Sequence, residues 1–259
     1  MKKRLLVSLV LWPAVAVAQQ GSCETPWFYF GNDPAGNDAI VAVHLIHVFD
    51  GTTGKVLPIT SQTLAEQNCA PGTTHASDLA KLWTFPTGGA PGPGTFEAVP
   101  LCRTYMFCEG HSALADGRIL NVGGMIPNGP PPNDPPPPNT VGSRRANLFH
   151  PLPSAGDHWN TVVTPPDMAH GRWYPTATTL PDGRVLACSG NNENAQPNYI
   201  PDVYNPSTNT WTPLPSAERC QQLYPYMFVL PDGDLVEAGP GTNTTICTDM
   251  RILHTSNWT

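Results

Sequence analysis

Three stretches of this chain share one pattern and decide its fold: residues 108–124, CEGHSALADGRILNVGG; residues 174–190, YPTATTLPDGRVLACSG; and residues 224–240, YPYMFVLPDGDLVEAGP. They align without gaps. Each has an apolar-rich stretch, an Asp-Gly pair and a second apolar stretch that ends near glycine. Asp-Gly between two such runs is typical of a β-hairpin, because both residues tolerate a positive φ angle. The chain is therefore predicted to form the same hairpin three times.

Weaker strand-like segments accompany the hairpins. They lie at residues 54–57 and 81–83 upstream, at 146–149 and Trp159, at 202–204 and 210–214, and at 250–253 downstream. Four strands per unit, with about 40 to 65 residues per unit, are typical of the blades of a β-propeller. The main alternative, a β-sandwich, does not explain repeats that align in register.

The number of repeats predicts an incomplete propeller. About four blades can be recognised, whereas a propeller closes by bringing its last blade against its first. We therefore expect an all-β fold with about four blades of an expected seven, and blades missing on the C-terminal side. The predicted domain is 19–259, with a stiff proline-rich loop at 127–139.

The N-terminus predicts export. Lys2–Arg4 is a positive segment, residues 5–17 are mostly apolar, and Ala16–Ala18 offers small residues for cleavage before Gln19. The alternative is a membrane anchor, but a spanning helix needs roughly 20 apolar residues and this run is shorter. Residues 1–18 are therefore predicted to be a signal peptide of a secreted or periplasmic protein without a stable membrane span.

Charge and cysteine content restrict the function further. The net charge is −7 and no basic cluster lies outside the signal segment, so nucleic acid is not expected as a partner. An exported chain normally pairs its cysteines. An odd number leaves one for a free thiol, an intermolecular bond or another covalent fate. The seven cysteines are Cys23, Cys69, Cys102, Cys108, Cys188, Cys220 and Cys247.

Three chemically active side chains occupy equivalent places in the repeats. Cys108, Tyr174 and Tyr224 each lie eight residues before the Asp of their own hairpin. Equivalent positions of successive blades lie at the same radius and height. If these strands are innermost, all three residues face the central axis at one end, and the thiol of one blade can touch the phenol of the next.

Two of these segments resemble a known family. Phe107–His111 resembles the segment that holds the cross-linked cysteine in galactose oxidase and its bacterial relatives, and Gly171–Pro175 resembles the glyoxal oxidase segment that holds the cross-linked tyrosine. Leu223–Pro225 resembles the next blade of those enzymes, and the similarity extends over most of residues 40 to 245. On these residues the chain is identified as a member of the galactose oxidase/glyoxal oxidase-like copper-radical oxidases, which are kelch-type propellers.

The resemblance implies a specific cofactor. Cys108 and Tyr174 would be the catalytic and cofactor-forming residues, joined by a thioether, and Tyr174 would be a copper ligand. The modified ring holds a radical in that family, and copper and the ring together remove two electrons from a small aldehyde or primary alcohol, carbohydrate-derived ones included. Oxygen takes up the pair and leaves as hydrogen peroxide. A cysteine used in this way would leave six for disulfides.

Two departures from the family pattern affect the expected activity. Galactose oxidase has a tryptophan just after the second hairpin, whereas Gly190 is here followed by Asn191 and Asn192, which favours a glyoxal oxidase-like relative. The family's later Tyr-His pair and further histidine have no match, so this chain is expected to be inactive alone. The rival hypothesis is a non-catalytic, secreted kelch-type binding protein. The histidines are His44, His47, His75, His111, His150, His158, His170 and His254.

Overall fold

The computed structural model describes residues 42–49, 54–60, 81–84, 95–99, 105–126, 141–152, 158–159, 163–238 and 250–259. The predicted signal peptide and the proline-rich loop lie outside these residues, and the domain bounds remain a prediction. Within the described ranges, no helix is long and apolar enough to cross a membrane.

Four antiparallel sheets make up the described chain, and each is a meander of strands that follow one another in sequence. The first sheet contains β1 (Ala42–Phe49), β2 (Gly54–Thr60), β3 (Lys81–Thr84) and β4 (Thr95–Ala98). The second contains β5 (Tyr105–Ala113), β6 (Ile119–Met125) and β7 (Ala146–Phe149). The third contains β8 (Thr176–Thr179), β9 (Val185–Cys188), β10 (Asp202–Asn205) and β11 (Thr210–Pro213), and the fourth contains β12 (Met227–Val229), β13 (Leu235–Glu237) and β14 (Arg251–Leu253).

This arrangement confirms the predicted all-β fold of an incomplete β-propeller. The three hairpins are β5–β6, β8–β9 and β12–β13, and the weaker segments form the third and fourth strands as expected. Trp159 pairs with Phe149 through an isolated bridge, at the place of a fourth strand in the second sheet. A short 3-10 turn at Pro215–Ala217 follows β11.

The hairpin turns differ from the prediction in one respect. Only the glycine of each Asp-Gly pair has a positive φ angle, +85° at Gly117 in the first hairpin. The aspartate acts through its side chain instead: Asp116 accepts a hydrogen bond from the Arg118 N–H at 3.1 Å. The same contact recurs from Arg184 to Asp182, so aspartate closes the turn and glycine supplies the left-handed residue.

Successive sheets pack face to face through three apolar cores. Neighbouring residues of each second strand point to opposite faces, as strand geometry requires. Ile119 therefore enters the core shared with the first sheet, whereas Leu120 enters the core shared with the third. Leu186 is the equivalent of Leu120 in the third sheet, and it lies in the core between the third and fourth sheets. Each sheet is thus a blade packed between two neighbours.

The first strands of the sheets form one inner edge. β5 contacts β8, and β8 contacts β12. Gly110 permits this approach, because a Cβ atom at that position would lie 2.7 Å from the carbonyl oxygen of Pro175 in the neighbouring blade. The hairpin starts that contain Cys108, Tyr174 and Tyr224 are therefore adjacent, as the repeats predict.

The outer face of the fourth sheet is uncovered in the described chain. Leu120 and Leu186, which face the following blade, are fully buried, whereas their equivalent Val236 is only half-buried. Phe228 is 43% exposed and Ile252 is 48% exposed on the same sheet. Val236 and Ile252 occupy positions that are buried in the preceding blades, which indicates a surface that packs against another layer.

Candidate functional site

The three predicted site residues share an unusual backbone conformation. Cys108, Tyr174 and Tyr224 have φ angles of 61°, 64° and 51°. Left-handed conformations are costly for residues other than glycine and cluster at functional sites. Cys108 also lies in a bulge of β5: Tyr105 pairs with Met125 and Glu109 with Gly123, so three residues on β5 oppose one on β6. Bulges redirect side chains in this way near active sites.

A ladder of backbone hydrogen bonds joins these residues across the blades. The Tyr174 N–H donates to the Cys108 carbonyl at 3.0 Å, and the Tyr224 N–H donates to the Tyr174 carbonyl at 2.9 Å. Each left-handed residue is thus bonded directly to its equivalent in the preceding blade. The ladder fixes the three side chains at one height, which is the arrangement that the sequence repeats predict.

The side chains of Cys108 and Tyr174 are brought together. The thiol and the phenol lie close enough for each to shift the pKa of the other. Cys108 is 2% exposed, whereas Tyr174 is only half-buried, so one part of the tyrosine faces solvent. The pair therefore combines a protected sulfur with an accessible ring.

Both groups are held in their protonated forms. Burial raises the pKa of the Cys108 thiol to about 12, aided by the charge of Glu109 and opposed by the contacts with Tyr174 and Trp173. Burial and the contact with Cys108 also raise the pKa of the Tyr174 phenol. At neutral pH the pair is a neutral thiol against a neutral phenol. A thioether between them requires loss of the thiol hydrogen and of one ring hydrogen.

Aromatic rings surround Tyr174. Trp173 stacks on it with ring centroids 3.7 Å apart and an interplanar angle of 15°, and Tyr224 stacks at 4.7 Å and 28°. The role of Trp173 is not expected from the resemblance, because the tryptophan of galactose oxidase lies after the second hairpin. Asn191, which occupies that region, instead exchanges two backbone hydrogen bonds with Trp173 at 2.8 Å and holds it in place.

A buried carboxylate lies beside the thiol. Glu109 is fully buried; its Oε1 contacts the His111 Nδ1 at 3.0 Å, and its Oε2 has no hydrogen-bond partner. Burial alone would lower the pKa of His111, but the charge and hydrogen bond of Glu109 raise it overall. His111 is therefore held by the Glu109 carboxylate. Nothing in the sequence indicates this pair beyond its place in the Phe107–His111 segment.

A buried ion pair anchors the tyrosine segment. Arg172 is fully buried, and its guanidinium donates to Asp202 Oδ2 and to the Ser189 carbonyl, both at 2.7 Å. Its backbone accepts a hydrogen bond from Gly124 of the preceding blade at 3.0 Å. Arg172 therefore holds the residues before Tyr174 between two blades, which gives the arginine of the Arg-Trp-Tyr-Pro motif a structural role.

The cysteine count does not support the thioether. Cys188, at the end of β9, is a second buried free thiol, and burial raises its pKa to about 12. Six cysteines are thus not all available for disulfides, and the parity argument from the sequence is wrong on this point. Burial in the core between the third and fourth sheets explains why Cys188 behaves as a small apolar residue.

The described residues do not by themselves fit a copper ion. No group of three or more histidine, cysteine, aspartate and glutamate side chains in these ranges could hold a metal. Tyr174 offers one phenol oxygen, whereas a Cu(II) site uses several nitrogen and oxygen ligands. His170 and His254 contact the carboxylates of Glu193 and Asp234 at 3.1 and 2.6 Å.

One Arg–Asp pair in this fold is buried and another is exposed, so mutation of their arginines is expected to cost different amounts of stability. Arg172→Ala leaves the Asp202 carboxylate buried and unpaired, so we expect a loss of about 3–5 kcal/mol in the free energy of unfolding. Arg145 and Asp167 form an exposed pair at 3.1 Å, and Arg145→Ala is the matched control, expected to cost less than about 1 kcal/mol. Urea unfolding followed by tryptophan fluorescence measures both. Equal losses would contradict the anchoring role of Arg172.

Comparison with known proteins shows which proteins this chain is similar to. No family model matches it. Two galactose oxidases of Gibberella zeae are each 28% identical over 203 residues, which is 74% of this chain and 26% of theirs. A WSC domain-containing protein of Arthroderma benhamiae is 28% identical over 147 residues, or 52% of this chain and 14% of its own length. A fungal AA5-family alcohol oxidase in complex with copper has a TM-score of 0.48 at 15% identity, covering 78% of this chain and 40% of its own.

This chain spans about a quarter of the length of the galactose oxidases that it matches. The match nevertheless covers about three quarters of this chain. It agrees with the resemblance of the Cys108 and Tyr174 segments to this group of enzymes. These comparisons support a galactose oxidase-like family for the chain.

Proposed function

We propose that this chain is part of a secreted copper-radical oxidase in which Cys108 and Tyr174 form a thioether cofactor. The enzyme would oxidise small aldehydes or primary alcohols, including carbohydrate-derived ones, and would pass two electrons to O2 to give hydrogen peroxide. One observation supports this most: Cys108 and Tyr174 occupy equivalent positions of consecutive blades, a backbone hydrogen bond joins them directly, and the thiol and the phenol lie close enough for each to shift the pKa of the other.

The surroundings of the pair suit such a cofactor. A sulfur substituent donates electron density into a phenol ring, which makes one-electron oxidation easier. The indole of Trp173 covers one side of Tyr174, and its N–H has no conventional hydrogen-bond partner and lies close enough to the Cys108 sulfur to influence the pKa of the thiol. The protein's part is to position the ring and to keep the sulfur away from solvent.

Copper would need ligands beyond the described residues. Tyr174 could supply one oxygen, and the remaining ligands are not found among the described side chains. We propose that further blades, which would pack on the apolar face formed by Phe228, Val236 and Ile252, contribute them. Alone, this chain would therefore have no oxidase activity. Export is supported by the signal-like residues 1–18.

The lack of a metal-binding group among the described residues also favours a second hypothesis, a non-catalytic secreted protein that kept the kelch-type fold. The two hypotheses differ in whether Cys108 and Tyr174 can be joined. A binding protein needs only a small core residue and a packed aromatic at these positions, whereas an oxidase needs the sulfur aimed at the ring.

The cross-link itself is the test of the proposed function. Illumination of the chain with tris(bipyridine)ruthenium and persulfate should join Cys108 to Tyr174, giving a loss of two hydrogens in the intact mass after disulfide reduction. Tandem mass spectrometry should map the bond to these two residues. Cys108→Ala and Tyr174→Phe should abolish it, and Cys188→Ala, which removes the other buried free thiol, should leave it unchanged. Absence of the bond in the unmodified chain would favour the binding-protein hypothesis.

Peroxide production gives a separate test of the ligand count. Residues 19–259, supplied with Cu(II) and oxygen, should form no more hydrogen peroxide from methylglyoxal, glyoxal or galactose than copper in buffer does, because Tyr174 alone does not fix the ion. A peroxidase-coupled assay measures this, with Cys108→Ala as the control. Peroxide that depends on Cys108 would show that the ligand set is complete within this chain.

A further inference from the structure

Tyr224 lies just before the first strand of the fourth sheet, but it makes contacts that reach back across two blades. Its backbone N–H donates to the Tyr174 carbonyl at 2.9 Å, and its phenol O–H donates to the Glu109 carbonyl at 3.0 Å. Glu109 directly follows Cys108 in β5. The main chain of Tyr224 is therefore bonded to Tyr174, and the end of its side chain is bonded to the residue that follows Cys108.

Tyr224 and Trp173 lie on opposite faces of the Tyr174 ring. Both rings are nearly parallel to it, with centroids 4.7 and 3.7 Å away. Two rings at those distances on the same face would overlap each other, so each must cover its own face. Tyr174 is thus clamped between an indole and a phenol, and rotation of its ring is restricted on both sides.

The fold alone does not require tyrosine at position 224. The equivalent position of the second sheet is Cys108, a much smaller residue with the same left-handed backbone. The ladder uses only main-chain atoms, so it can form with either side chain. What the tyrosine adds is a ring against Tyr174 and a hydroxyl beside the thiol segment.

We propose that Tyr224 is a positioning residue for the thioether: it presses the Tyr174 ring against Trp173 and holds it in register with the Cys108 sulfur. This inference rests on the proposed function. It predicts that the efficiency of cross-linking depends on a residue that is not itself joined.

The cross-linking step is an oxidation by two electrons. The S–H bond of Cys108 and one ring C–H bond of Tyr174 break, a carbon–sulfur bond forms, and two protons are released to solvent. The two electrons pass through the photo-oxidised ruthenium complex to persulfate, which becomes two sulfate ions. The half-exposed Tyr174 is accessible to this oxidant, and no metal site is required.

The experiment compares the initial yield of the cross-link at a fixed light dose in the unmodified chain and in four variants. Tyr224→Leu removes the stacked ring and should lower the yield about tenfold, whereas Tyr224→Phe loses only the bond to Glu109 and should lower it about two- to threefold. Tyr224→Trp restores a stacked ring and should recover most of the yield. Tyr226→Leu is the matched control, since Tyr226 is an exposed tyrosine of the same hairpin, and it should match the unmodified chain.

The outcomes separate the two proposals. Full yield in Tyr224→Leu, with none in Cys108→Ala, would overturn the positioning role and leave the proposed cofactor intact. No cross-link in the unmodified chain would overturn both. Unfolding of Tyr224→Leu would be detected by loss of iodoacetamide protection at Cys188, and Tyr224→Phe, which keeps the ring, would then decide: full yield in that variant would count against the positioning role.

Discussion

The hydrogen-bond ladder along the inner edge is the interaction on which the rest of the structure depends. It joins Cys108 to Tyr174 and Tyr174 to Tyr224 through main-chain atoms alone. Each participant has a left-handed backbone that costs roughly 1–2 kcal/mol for a residue other than glycine. Three such residues in equivalent positions indicate a conformation maintained by the packing of the blades. The ladder places a thiol, a phenol and a second phenol side by side.

Contacts next to the ladder keep its residues in place. Arg172, fully buried, ties the tyrosine segment to Asp202 in its own blade and, through its main chain, to the preceding blade. Gly110 lets β5 approach the Pro175 carbonyl closely enough for the ladder to form. Apolar packing holds the sheets together, while these few polar contacts determine where the inner edge of each sheet lies relative to the next.

Much of the fold could be predicted from the repeats, because an in-register hairpin at 108, 174 and 224 implies equivalent strands and equivalent inward positions. The placement of Cys108 beside Tyr174 follows from that equivalence. The predicted turn conformation is wrong in one detail. The side chains of Asp116 and Asp182 accept hydrogen bonds from the backbone, and only the glycine of each pair has a positive φ angle. The parity argument was also wrong, because cysteine counting cannot distinguish a bonded Cys188 from one buried in a core.

Other features of the site depend on tertiary contacts that a linear pattern does not contain. Trp173 stacks on the residue that follows it, and that residue, Tyr174, has a left-handed backbone. The reach of Tyr224 to Glu109 crosses two blades. A sequence repeat shows which positions are equivalent, but it does not show which side chains bend back across the edge to meet one another.

The most direct measurement is a crystal structure that resolves the electron density between the Cys108 sulfur and the Tyr174 ring. The structure described here predicts that the sulfur lies at van der Waals contact with the ring, or is joined to it in oxidised protein, on neighbouring inner strands. A structure with the two residues two blades apart, or with their side chains facing opposite ways, would contradict the placement of the cofactor-forming pair and the function proposed from it.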